Sequence, residues 1–163
     1  MGKRGCRTVL DQYTLELERV ASILLVSLAN DLGTEQVADM FKEGLQTVRI
    51  NYYPPCHHAD KVLGLSPHSD AEGLTLLLQI NEAEGLQLKK NGQWMPIKPL
   101  PNVFIVNNGD DTLEIMSNGK YKSIEHRAVI NPQKECMPIA TFVMPWLDVT
   151  IVNRSNSEAC GRE

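Results

Sequence analysis

The sequence predicts a mainly β fold with helices at its N-terminus, the strands forming a sandwich or jelly roll. Three observations carry this. Apolar residues recur at a helical period from Val9 to Leu32. After Gly44 the period is lost, and short alternating or wholly apolar segments take over. Gly, Asn, Asp and Pro separate those segments at close spacing, as between the strands of all-β folds.

The first helix is expected to bury Leu10, Tyr13, Leu17, Val20, Leu24 and Leu28, with Gly33 as its C-terminal stop. A second, short helix is expected from Thr34, a suitable N-cap, to about Phe41. Both read as scaffold. Thr47 to Tyr53 alternates as a strand, with Val48, Ile50 and Tyr52 on one face and Arg49, Asn51 and Tyr53 on the other. Pro54-Pro55 ends it. Leu74 to Ile80 is continuously apolar enough for a buried strand. Leu86–Leu88 and Trp94–Ile97 flank Asn91-Gly92, a hairpin signal. Val103–Val106, Leu113–Met116, Tyr121–Glu125 and Ile139–Val143 are the remaining expected strands.

A chain of 163 residues holds one domain with a substantial core. The net charge of −4 leaves no broad basic footprint for nucleic acid. No apolar run is long enough for a membrane span or the core of an export signal. Cys6, Cys56, Cys136 and Cys160 are scattered without a C-x-x-C pair, which argues against a disulfide framework. The expectation is a reduced, cytoplasmic protein without nucleic-acid or membrane partners.

The residues with chemistry in them are histidines and one aspartate. In His68-Ser69-Asp70, positions two apart on an extended chain face the same way, so His68 and Asp70 can converge on one ion. His126 is the remaining isolated histidine and the candidate third ligand. Two imidazoles and a carboxylate on one face of an ion leave open positions, the pattern of non-haem iron(II) oxygenases. An H-x-D match alone is weak, because a His near an Asp is more often a surface pair. Zinc also accepts such a set, although no thiolate supports it here. His57-His58 sits in an expected loop after Pro54-Pro55, where solvent exposure is the simpler reading.

Longer blocks sharpen the reading. Asn51-Tyr52-Tyr53-Pro54-Pro55-Cys56, Gly64-Leu65-Ser66-Pro67-His68-Ser69-Asp70, Gly85-Leu86-Gln87-Leu88 and Asn118 to Arg127 stand in order. Together they resemble the plant 2-oxoglutarate/Fe(II)-dependent dioxygenases, in the branch of alkaloid demethylases, flavonoid oxygenases and senescence-related oxygenase-like proteins. The resemblance runs from about Val9 to Ile151. It implies a double-stranded β-helix, the jelly roll of cupins. It implies Fe(II) held by His68, Asp70 and His126, which are then the catalytic residues, with Asn51 and Tyr53 lining the 2-oxoglutarate pocket. It implies dioxygen and a small specialised metabolite as reactants, and hydroxylation, demethylation or desaturation as outcome. The implied organisation is a helical preface over 1–43, the dioxygenase domain over 44–146 and a divergent tail over 147–163.

The sequence departs from that family at Cys136 and Pro138, where the resemblance implies Arg and Ser. The arginine would grip the distal carboxylate of 2-oxoglutarate through a two-pronged pair. Removing one partner of a buried pair costs about 3–5 kcal/mol. Arg49 and Lys134 have the strand parity to compensate, but a surface role is the expectation for both. Asn107 to Leu113 holds one residue more than the family spacing, which a bulge would absorb. These departures leave an alternative reading, an iron-binding pseudoenzyme or a metal-assisted enzyme that does not use 2-oxoglutarate.

Overall fold

The computed structural model describes residues 3–146 and 151, without the side chains of Lys3, Arg4 and Cys6. The expected tail after Trp146 (Ile151 excepted), Cys6 and Cys160 therefore lie outside what is described. The chain forms two compact units, Met1–Gln46 with Val143–Thr150, and Thr47–Phe142 with Ile151–Glu163.

The first unit carries α1 (Lys3–Leu32) and α2 (Gln36–Met40). Helix α1 buries Leu17, Ala21, Leu25, Ala29 and Leu32. This stripe shares Leu17 with the expected one but is otherwise rotated by about one position, and Val20 is exposed. Ile23-Leu24-Leu25-Val26 is apolar around the whole turn, so periodicity alone does not settle its phase. Gly33, at a positive φ of 65°, closes the helix. The Gly33 amide donates to the Asn30 carbonyl and the Thr34 amide to the Ala29 carbonyl, a two-bond C-terminal cap. The N-cap of α2 is Glu35 rather than the expected Thr34, although Thr34 Oγ1 accepts from the Gln36 amide at 3.3 Å; Val37 is fully buried. No described helix is long and apolar enough to cross a membrane.

The strands are β1 (Leu45–Ile50), β2 (Leu63–His68), β3 (Leu74–Gln79), β4 (Leu86–Lys90), β5 (Gln93–Pro96), β6 (Phe104–Asn108), β7 (His126–Val129) and β8 (Pro138–Met144). They form two four-stranded sheets, in orders β1-β8-β3-β6 and β2-β7-β4-β5. Eight strands passing back and forth between two sheets, with only the β4–β5 hairpin staying in one, make a jelly roll. The fold class expected from the sequence, mainly β with N-terminal helices, is the class observed. The β4–β5 hairpin turns at Asn91 and Gly92, both at positive φ, as the Asn-Gly signal requires. Leu74 and Leu76 on β3 are almost fully buried.

Two expected strands are not strands. Leu113–Met116 falls in a helical turn whose first part, Asp110–Glu114, is π-helical, burying Thr112 and Leu113. The extra residue between Asn107 and Leu113 is taken up as this wide turn, with the Glu114 amide reaching back to the Gly109 carbonyl, rather than as a bulge. Tyr121–Glu125 is irregular, and the Ser123 amide donates to the Glu114 carboxylate at 2.7 Å.

Candidate metal centre

Three side chains expected to act together meet between the sheets of the second unit. His68 ends β2, His126 begins β7, and Asp70 follows β2 by two residues. One ligand atom from each lies within 4.8 Å of the others, a separation that suits a single ion. Asp70 Oδ1 stands 3.8 Å from His68 Nε2 and 3.6 Å from His126 Nε2.

Register brings the histidines together. In the β2–β7 pair, Leu63 faces Val129, Leu65 faces Ala128 and His68 faces His126, with an irregularity in each interval. Without the second irregularity Pro67 would face His126, and His68 would turn to the other side of the sheet. Pro67 sits inside that interval and has no N–H to donate to the ladder, so it favours the slip.

The hydrogen bonds around the triad prepare it for a cation. His68 Nδ1 lies 2.8 Å from the Ser66 carbonyl, and His126 Nδ1 lies 3.0 Å from the Ile124 carbonyl. A carbonyl only accepts, so each Nδ1 donates, and in the neutral imidazole Nε2 is then left with its lone pair for a metal. Asp70 is 6% exposed, and its Oδ2 accepts from Asn107 Nδ2 at 3.0 Å. That leaves Oδ1 turned towards the two imidazoles. The Asp70 carbonyl accepts from the Asp110 amide, and Ser69 Oγ donates to the Asp110 carboxylate. The loop holding Asp70 is thus tied to the π-helical turn. Gly109 makes the approach possible, since a Cβ there would stand 1.2 Å from the Glu72 carbonyl oxygen.

A cavity of about 300 Å³ opens beside the triad, between the two sheets. Asn51 and Tyr53 line it, and so does Arg49, which is exposed as expected yet also reaches the cavity wall. Lys134 is not among its walls and lies in a separate hollow with Asn81 and Glu82. Arg127 also lines the cavity, its guanidinium donating from Nε to Gln87 Oε1 at 2.9 Å and stacking 4.2 Å from the Trp94 ring centre. Glu125 pairs with Lys89 at 2.7 Å. His57 and His58 are exposed and outside the group of possible ligands.

The wall formed by β8 is uncharged. Cys136, Pro138, Ala140 and Phe142 line the cavity, the first three buried. Burial pushes the Cys136 thiol above its ordinary pKa, so it stays protonated and neutral. Tyr53 exchanges backbone hydrogen bonds with Cys136, each 2.9 Å. Burial, then the neighbouring Cys136, push the Tyr53 phenol up, and the charge of Arg49 pulls it the other way.

Comparison with known proteins settles the family. The model of the 2OG-Fe(II) oxygenase superfamily matches residues 44–145. The chain belongs to the 2OG-Fe(II) oxygenase superfamily. Among superfamily relatives, it is 51% identical over 140 residues to protein SRG1 of Arabidopsis thaliana, covering 83% of this chain and 39% of that protein. It is 50% identical over 139 residues to codeine O-demethylase of Papaver somniferum, covering 83% of this chain and 38% of that one. A solved structure of JOX2 in complex with 2OG, Fe and JA superimposes with a TM-score of 0.87 at 38% identity, over 92% of this chain and 45% of that one. The chain spans about two fifths of the length of these curated relatives.

Asn107 is the site residue that motif reasoning missed. It lies in the Asn107 to Leu113 block whose spacing was noted, but nothing in its type told which carboxylate it would hold. The carbonyls of Ser66 and Ile124 carry no sequence signal, since any residue supplies one.

Proposed function

We propose that this chain is the metal-binding core of an Fe(II)/2-oxoglutarate-dependent oxygenase acting on a small specialised metabolite, with the dioxygenase domain over residues 44–146. The observation that carries it is the convergence of two imidazole nitrogens and one carboxylate oxygen within 4.8 Å beside a cavity. That donor set fits Fe(II): nitrogen and oxygen donors on one side leave coordination positions for small reactants. His68, Asp70 and His126 would hold the metal, which when bound supplies the oxidising chemistry with dioxygen and the co-substrate.

The chain's own residues supply the rest. Ser66 and Ile124 fix the imidazole tautomers through their carbonyls, and Asn107 holds Asp70 in one orientation. Leu65, Leu77, Leu86, Leu88 and Ile105 give the cavity apolar walls. For 2-oxoglutarate the fit is partial: Asn51 and Tyr53 offer polar groups, but Cys136 and Pro138 offer no cation. A reducing, cytoplasmic setting belongs to the same reading, supported by the free thiols of Cys56 and Cys136.

The test is metal binding read by electron paramagnetic resonance with Mn(II) as the stand-in for Fe(II). The expected result is one bound ion per chain, and loss of tight binding in His126→Ala. Unchanged stoichiometry in that variant removes His126 from the triad. Succinate formation from 2-oxoglutarate by the Fe(II)-loaded protein then tests turnover.

A further inference from the structure

Two arginines line the cavity, Arg49 and Arg127, and Arg127 is already held by Gln87 and the Trp94 ring. The recorded contact of Arg49 among the described residues is with the Phe142 ring, whose centre is 5.7 Å from the guanidinium carbon. Tyr53 bridges Cys136 in antiparallel sense, and the Asn51 amide donates to the Pro138 carbonyl at 3.0 Å. Arg49 continues that sequence two residues on, so it stands further along the β8 wall than Cys136. Its lean towards Phe142 takes the guanidinium further from Cys136 still. The wall therefore has a neutral end at Cys136 and a cationic end at Arg49.

A second observation marks the cavity as built for a polar ligand. Thr75, 5% exposed on β3, lines the same space, and its hydroxyl has no hydrogen-bond partner. A buried hydroxyl left unpaired is costly unless a ligand completes it.

From these features we infer that Arg49 is the carboxylate anchor of this cavity, taking over a charge-pairing role that the β8 wall, with Cys136 and Pro138, does not supply. The carboxylate comes either from the co-substrate, as the distal group of 2-oxoglutarate, or from an acidic substrate. The inference rests on the oxygenase reading only in placing the cavity beside a metal. A guanidinium held against an aromatic face is pre-organised, and it presents paired donors to paired oxygens.

The experiment compares ligands that carry the anchoring carboxylate (the acid of each pair) with counterparts that lack it, by calorimetric titration into the Mn(II)-loaded chain. The pairs are 2-oxoglutarate against 2-oxopentanoate, and 3-phenylpropanoate against 3-phenylpropanamide. The expected result is a preference for the acid in at least one pair, reduced about ten- to hundredfold in Arg49→Ala and partly kept in Arg49→Lys. Thr75→Val, which keeps the shape, should weaken the same acid several-fold. Dependence in the first pair identifies the co-substrate as source, and dependence in the second alone identifies the substrate. Lys134→Ala should change nothing. If neither preference depends on Arg49, or if Lys134→Ala removes it, the inference is overturned. Mn(II) binding is measured first. Should it fail, the loss falls on the functional reading, and the same titrations on the metal-free chain still decide Arg49. Arg49 is exposed, so unfolding of its variants is not expected, and thermal melting checks this.

Discussion

At the scale of single residues, the triad shows how far side-chain type and spacing reach. His68 and Asp70 were legible because an extended chain returns every second residue to one face. His126 was legible because few histidines competed for the place. What holds them was not legible, since it consists of backbone carbonyls and one amide distant in sequence. That support is testable. Asn107→Ala should lower metal affinity about 10- to 100-fold while leaving the melting temperature of the metal-free chain nearly unchanged; metal titration and thermal melting separate the two. Cys136 makes a second prediction. Its folded pKa lies above the ordinary thiol value of 9.0, so the folded chain binds its proton more tightly than the unfolded chain does. That contribution to stability is complete below the ordinary value and is lost as pH rises through the folded value. Cys136→Ala should therefore show a shallower alkaline loss of stability, measured by denaturant unfolding from neutral to alkaline pH. A parallel loss in both proteins would remove Cys136 as a cause.

At the scale of elements, the errors of sequence reading have one origin. Short apolar runs do not declare their own conformation, and the surrounding chain decides it. Leu113 reads as a strand residue by its neighbours, but the extra residue before it leaves the chain too long for the turn, and a π-helical turn takes up the slack with Leu113 fully buried. Gly109 at the start of that turn is the point where it meets the loop carrying Asp70. Gly109→Ala cannot be accommodated without moving the Glu72 carbonyl, and should destabilise the protein by about 3 kcal/mol or more. The same change should weaken metal binding, because the Asp110 amide would lose the Asp70 carbonyl. Stability retained together with full metal affinity would show that the two segments move apart without consequence. The Asn91-Gly92 hairpin was legible because only a few residue types tolerate its backbone angles.

At the scale of the molecule, the jelly roll places His68 and His126 on the sheet β2-β7-β4-β5, with Asp70 just beyond β2, all within the unit Thr47–Phe142. An ion that binds only the folded form raises stability by about 2.7 kcal/mol at a hundred times its dissociation constant. Saturating Mn(II) should accordingly raise the melting temperature, and chelation should reverse the gain. Hydrogen exchange should report the added protection first in β2 and β7, the strands the ion would join. A melting temperature indifferent to Mn(II) would mean that the triad does not bind the ion in the folded state.

The slip in β2 between Leu65 and His68 makes the imidazole pair a check on counting. Adding or removing one residue in that interval would leave the sequence almost unaltered, yet would send one imidazole to the opposite side of the sheet. A metal signal from this chain would therefore certify correct threading of the strand, residue by residue, and libraries of insertions and deletions in β2 could be sorted by ion capture alone.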